Sequence, residues 1–165
     1  MNLIEYRRCL DGISIEDLNT LKLIIRDSSD IIILGNGGSN AISCHIAEDY
    51  TKALGKRALC FGDSARMSCY ANDYGWENAY TKFIEQFANR DTLVILISSS
   101  GNSQNILNAA SYCKGRHGII TLSGFEPNNN LRVSYSEASE LHFWIDSRDY
   151  GIVECLHELI LHSVL

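Results

Sequence analysis

Ile31-Ile32-Ile33-Leu34-Gly35-Asn36-Gly37-Gly38-Ser39 joins a run of branched apolar residues to a glycine-rich turn. The run has no polar alternation, as expected of a strand covered on both faces. A helical pattern follows over 40–54. Strand, tight turn and helix make the first half of a βαβ unit. The same grammar recurs outward from this stretch. Short apolar runs occupy 57–61, 93–97, 118–122 and 141–145, each closed by turn residues. Helical patterns occupy 15–26, 77–88, 103–113 and 151–165. The alternation predicts a three-layer αβα sandwich around a five-stranded parallel sheet. The polar stretch 125–139 holds the chain's one proline, Pro127, and reads as an irregular connection with room for one short helix. Residues 1–29 read as a short helical segment packed on the domain, so the expectation is one domain over 1–165.

Composition narrows the function classes. The chain has 165 residues and a formal net charge of -6, with no stretch rich in Lys or Arg. A nucleic-acid or membrane-surface partner is therefore not expected. No apolar run reaches the ~20 residues of a membrane span, and the start lacks a signal-peptide pattern. Six scattered cysteines form no C-x-x-C pair, which fits free thiols in a reducing cytoplasm.

In a parallel sheet covered on both faces, ligands bind beyond the carboxyl ends of the strands. Two strand-to-helix loops there are rich in donors. Gly35-Asn36-Gly37-Gly38-Ser39 lets the backbone approach a ligand closely and opens a helix whose free N–H groups favour an anion. It matches neither the dinucleotide fingerprint, because Asn40 stands at the third glycine position, nor a P-loop. Ser98-Ser99-Ser100-Gly101-Asn102-Ser103 adds four hydroxyls. Capping by Asn102 or Ser103 accounts for one or two of these residues but not for the whole run. The pair of loops points to a phosphate.

His45 and Asp49 lie one helical turn apart on the helix after the first loop, so they share a face. Glu154 and His162 lie eight apart on the last helix, ~80° apart in projection. A His and a carboxylate from each of two helices make a candidate divalent site suited to zinc. Spacing leaves alternatives open. A His–Asp pair on a helix is often only a hydrogen bond, and Glu158, four before His162, is an alternative partner for it. His157 faces ~140° from His162 and reads as packing or support, and His117 and His142 read as structural.

The two loops, together with Cys69-Tyr70-Ala71-Asn72-Asp73-Tyr74-Gly75 and the terminal Glu154, His157 and His162, resemble the phosphoheptose isomerases of the sugar isomerase (SIS) family. The resemblance runs from about residue 30 to 162. It implies a flavodoxin-like SIS fold and a homotetramer with sites between subunits. It also implies conversion of sedoheptulose 7-phosphate to D-glycero-D-manno-heptose 7-phosphate, and a zinc ion held by His45, Asp49, Glu154 and His162. Asp49 would be the catalytic base and His162 its acid/base partner. Gly37, Gly38, Ser39, Ser98, Ser99, Ser100 and Ser103 would hold the phosphate, while Asn36, Asn72, Asp73 and Glu154 would meet the sugar. Two residues depart from the family pattern, which has Glu at Asp49 and Gln at Glu154. These departures keep a second reading open, a non-catalytic SIS protein that binds a sugar phosphate or a protein partner. A flavodoxin-type nucleotide module is the third, weakened because no acidic ribose clamp follows strand two; Asp63 is misplaced for that role.

Overall fold

The computed structural model describes residues 2–135 and 139–165. Met1 and residues 136–138, which fall within the stretch read as an irregular connection, lie outside it. Five strands form one parallel sheet: β1 (Asp30–Gly35), β2 (Arg57–Cys60), β3 (Leu93–Ser98), β4 (Gly118–Ser123) and β5 (Leu141–Trp144), in the order β2-β1-β3-β4-β5. All five follow from the apolar runs. Side chains alternate across a strand, so β1 sends Ile31 and Ile33 to one face and Ile32 and Leu34 to the other. Both sets are buried, which is why the run has no polar alternation.

The first face is covered by α1 (Leu3–Asp11), α2 (Ile15–Asp27), α3 (Gly38–Leu54) and α8 (Tyr150–His162), through Leu21, Ile25, Ile46, Tyr50, Leu156 and Ile160. The second is covered by α4 (Ser64–Tyr74), α5 (Trp76–Phe87), α6 (Gln104–Cys113) and α7 (Asn130–Tyr135), around Phe61, Tyr80, Phe83 and Ile106. The αβα sandwich is as expected. Helix α4 was not anticipated: its sequence offers few apolar residues, and only Tyr70 on it is buried. The terminal helix ends at His162, three residues earlier than its pattern suggests. Among the described residues no helix is long and apolar enough to cross a membrane.

The strand order reverses direction between β1 and β3, the switch point where ligand sites form in such sheets. Both donor-rich loops leave from these two strands. The tight first turn is possible because Gly35 lacks a side chain: a Cβ there would come within 2.6 Å of the Ser39 backbone. Gly37 takes φ 56, which glycine adopts without strain.

Two histidines sit in the sandwich. His157 is fully buried, with Nε2 3.1 Å from the Ser123 carbonyl oxygen, and burial pushes its pKa down to about 4. His142 lies 2.5 Å from Thr121 Oγ1 and is pushed down to about 4, again chiefly by burial. In the unfolded chain each returns to about 6.5. Between about pH 6.5 and pH 4 the unfolded chain thus binds more protons than the folded one, and stability falls as pH is lowered through that window. Thermal melts from pH 7 to pH 4.5 should show a progressive loss, with a shallower slope in His157→Gln. A pH-independent melt would refute the buried neutral state.

Candidate active site

The first loop and the serine loop meet over the ends of β1 and β3 in a cleft of ≈240 Å³. Gly37, Gly38, Ser39, Ser98, Ser99, Ser100 and Ser103 all line it, and so does Asn36. The helices that start here are built differently from most others. Helices α1, α2, α4 and α8 are capped by side chains of Asn2, Ser14, Asp63 and Asp149. Helices α3 and α6, which open into the cleft, have no side-chain cap. Ser103 occupies the cap position of α6 but bonds Ser98 Oγ at 3.2 Å instead. The capping explanation therefore fails for Ser103. The Asn40 N–H already donates to the Gly37 carbonyl, and the Ile106 N–H to the Ser103 carbonyl and Asn105 Oδ1, so the amides before them in each helix are the ones left for an anion. Ser99 Oγ is buried without a protein partner.

Asn36, expected to meet the sugar, is tied into the scaffold. Its amide and that of Asn105 exchange hydrogen bonds of 2.9 Å. The Tyr80 hydroxyl donates to the Gly35 carbonyl and lies 3.0 Å from Asn36 Oδ1. Asn105 and Tyr80 thus hold the loop in shape. Neither was singled out from the sequence, because an Asn and a Tyr on separate helices carry no local signal. Tyr150, which also lines the cleft, was missed for the same reason. A larger cavity, ≈410 Å³, lies beside β5 among Arg8, His142 and Trp144. It lacks the convergent helix starts, so size does not select the site.

Helices α3 and α8 run side by side, and three rungs link them. At the first, the Glu154 carboxylate is pressed against Gly38, where an added Cβ would collide with it. Glu154 faces the cleft, and burial raises its carboxyl pKa. At the second, His45 Nδ1 lies 3.1 Å from Glu158 Oε1. At the third, His162 Nε2 lies 3.1 Å from Asp49 Oδ2. His45 Nε2 points to the same oxygen at 3.2 Å. The hydrogen bond from His162 holds the Asp49 carboxyl below the usual range. The Tyr50 hydroxyl fastens this end by donating to the Leu161 carbonyl at 2.8 Å.

His45, Asp49 and His162 therefore offer two imidazoles and a carboxylate whose ligand atoms lie within 4.8 Å of one another, a set that could hold a metal ion. Glu154, expected as a fourth ligand, does not join them within one chain. Eight residues of helix are ~12 Å of rise, and the projection angle alone hides that distance. Asn72 and Asp73 are exposed on α4, bonded to each other at 2.8 Å, and do not line the cleft.

No family model matches the chain. Curated relatives do. The phosphoheptose isomerase of Sodalis glossinidius (strain morsitans) is 33% identical over 90% of this chain and 80% of its own length. That of Cytophaga hutchinsonii is 31% identical over 97% of this chain and 87% of its own. Among solved structures, the phosphoheptose isomerase GmhA from Neisseria gonorrhoeae superposes with a TM-score of 0.86 at 22% identity, covering 98% of this chain and 89% of that one. The Vibrio vulnificus NanR protein, solved complexed with ManNAc-6P, shares the fold at a TM-score of 0.72 and 16% identity, over 99% of this chain and 58% of that one.

Proposed function

The chain belongs to the phosphoheptose isomerase family of sugar-phosphate isomerases, and we propose that it converts sedoheptulose 7-phosphate to D-glycero-D-manno-heptose 7-phosphate. The observation that carries this reading is the Asp49 carboxylate held 3.1 Å from the His162 imidazole, in a chain whose sheet ends in a cleft lined by glycines and serines of two helix-opening loops. Ketose-to-aldose conversion takes a proton from C1 and returns one to C2 through an enediol. It needs a base, an acid for the oxygens, and an anchor that fixes orientation. Asp49, kept ionised by His162, is the base. His162 exchanges protons with the substrate oxygens. The serine loop and the starts of α3 and α6 anchor the phosphate.

Zinc fits the His45–Asp49–His162 set in ligand type. When bound there, a divalent ion supplies polarisation of the substrate carbonyl. Zinc takes four ligands, so three protein groups leave one position to fill.

The spacing of the half-sites favours catalysis between copies of the chain. Gly38 and Asp49 are eleven residues apart on α3, ~16 Å of rise. From phosphorus to C1 a heptose 7-phosphate has six C–C bonds, one C–O and one O–P bond, ~12 Å of contour at ~1.5 Å each. A phosphate in the cradle therefore cannot present C1 to Asp49 of the same chain. In a homotetramer, the cradle of one copy would face the triad of a neighbour. Glu154 would then reach the ion from the copy that holds the phosphate, and Asn72 and Asp73 would meet the sugar from α4. The free thiols fit a cytoplasmic setting.

Two measurements test the assignment. Ser99→Ala and Ser103→Ala should each weaken sugar-phosphate binding by about 1–3 kcal/mol, the cost of one lost bond to a charged group. Unchanged affinity in both by calorimetry would remove the cradle. Incubation of zinc-loaded protein with sedoheptulose 7-phosphate in D2O should yield the aldose with deuterium at C2, read by NMR. Binding without deuterium at C1 or C2 would mark a non-catalytic sugar-phosphate-binding member of the fold.

A further inference from the structure

Glu158 belongs neither to the cradle nor to the triad, yet it touches the triad at one defined atom. His45 meets Asp49 through Nε2 at 3.2 Å and Glu158 through Nδ1 at 3.1 Å. Its two ring nitrogens thus have separate assignments. Sequence spacing made Glu158 equally a partner for His162, one turn further along α8; the fold gives it to His45 on the neighbouring helix.

An imidazole that ligates through Nε2 carries its proton on Nδ1. A carboxylate at Nδ1 fixes that tautomer, sets the ring orientation and raises ligand basicity. Asp49 cannot fill this role, because its Oδ2 already faces the Nε2 atoms of both histidines. We infer that Glu158 is a positioning residue of the metal centre, holding His45 with Nε2 turned to the point it shares with Asp49 and His162. The inference rests on the metal reading of the triad given above. It explains why a carboxylate on α8 crosses to α3 at this rung, between the Glu154 contact and the His162 contact. The side chains of His45 and Glu158 are 56% and 36% exposed. Pairs this open contribute little to folding, so the effect of losing the carboxylate is expected at the ion rather than in the fold.

The test is zinc titration of the metal-stripped full chain in competition with a chromophoric chelator, for the parent, Glu158→Leu and Glu158→Gln. Melting temperatures of the stripped proteins are measured alongside. The parent should bind zinc, and Glu158→Leu should lose about 10–100-fold in affinity. Glu158→Gln should lose less, because its amide oxygen still accepts from Nδ1–H, and the melting temperatures should stay together. Parent-like affinity in Glu158→Leu would overturn the positioning role while the metal reading stands. A parent that binds no zinc would overturn the metal reading, and the role with it. Equal losses in both variants, matched by falls in melting temperature, would make Glu158 a packing residue and overturn the role.

Discussion

Asp49→Asn and His162→Gln should each slow isomerisation by about 10²–10⁴-fold, the usual contribution of a positioned acid or base. Sugar-phosphate affinity should stay close to that of the parent. The two effects separate because the groups sit in different places. In the proposed site the phosphate would be held at the start of α3 and α6, whereas Asp49 lies eleven residues down α3. Asn keeps the shape of Asp49 but cannot take a proton. Gln at 162 can still donate a hydrogen bond but cannot relay a proton at neutral pH. Chelation should likewise abolish turnover, and zinc should restore it. Rates within threefold of the parent in both variants would remove Asp49 and His162 from the chemistry. The resemblance read from the sequence implies Glu where Asp49 stands, so Asp49→Glu is the informative companion. A faster Asp49→Glu enzyme would mean that the missing methylene limits the natural reaction.

Two inactive variants should regain activity when mixed. Ser99→Ala combined with Ser103→Ala disables the cradle, and Asp49→Asn disables the base. If each site pairs the cradle of one copy with the triad of another, random assembly of equal amounts leaves both halves intact in about one half times one half, or about a quarter, of the sites. Co-expressed protein should then show about a quarter of parent turnover. If cradle and triad of one chain served the same substrate, no mixture would exceed the sum of the two separate variants. That outcome would refute sites between copies. A monomer by light scattering at micromolar concentration, with full activity, would refute them independently. The expectation rests on rigid geometry. Helix α3 is one continuous helix from Gly38 to Leu54, so no loop can fold the cradle back onto Asp49.

Local chemistry was enough to reveal the scaffold and the two loops that line the cleft at its edge. Strands buried on both faces write themselves as unbroken branched apolar runs, because each face of the sheet must be covered. The three central strands β1, β3 and β4 came from that rule, and the partly buried edge strands β2 and β5 from shorter, mixed apolar runs. The cleft was legible for a related reason: its glycines and serines form two short contiguous stretches, one after β1 and one after β3, and the parallel topology places both at the ligand-binding edge. Helix α4 was hidden because it buries little and therefore carries no apolar period. The triad was only half legible. A spacing of four puts His45 and Asp49 on one face, but nothing along the chain says which residue of α8 arrives opposite. Tertiary packing decided that, by laying α3 and α8 side by side in a fixed axial register. His162 then meets Asp49 and Glu158 meets His45, while Glu154 is left beside Gly38 at the cradle. Angular projection along one helix is a property of sequence. Axial register between two helices depends on how their buried faces, Ile46 and Tyr50 on one and Leu156 and Ile160 on the other, fit over the sheet.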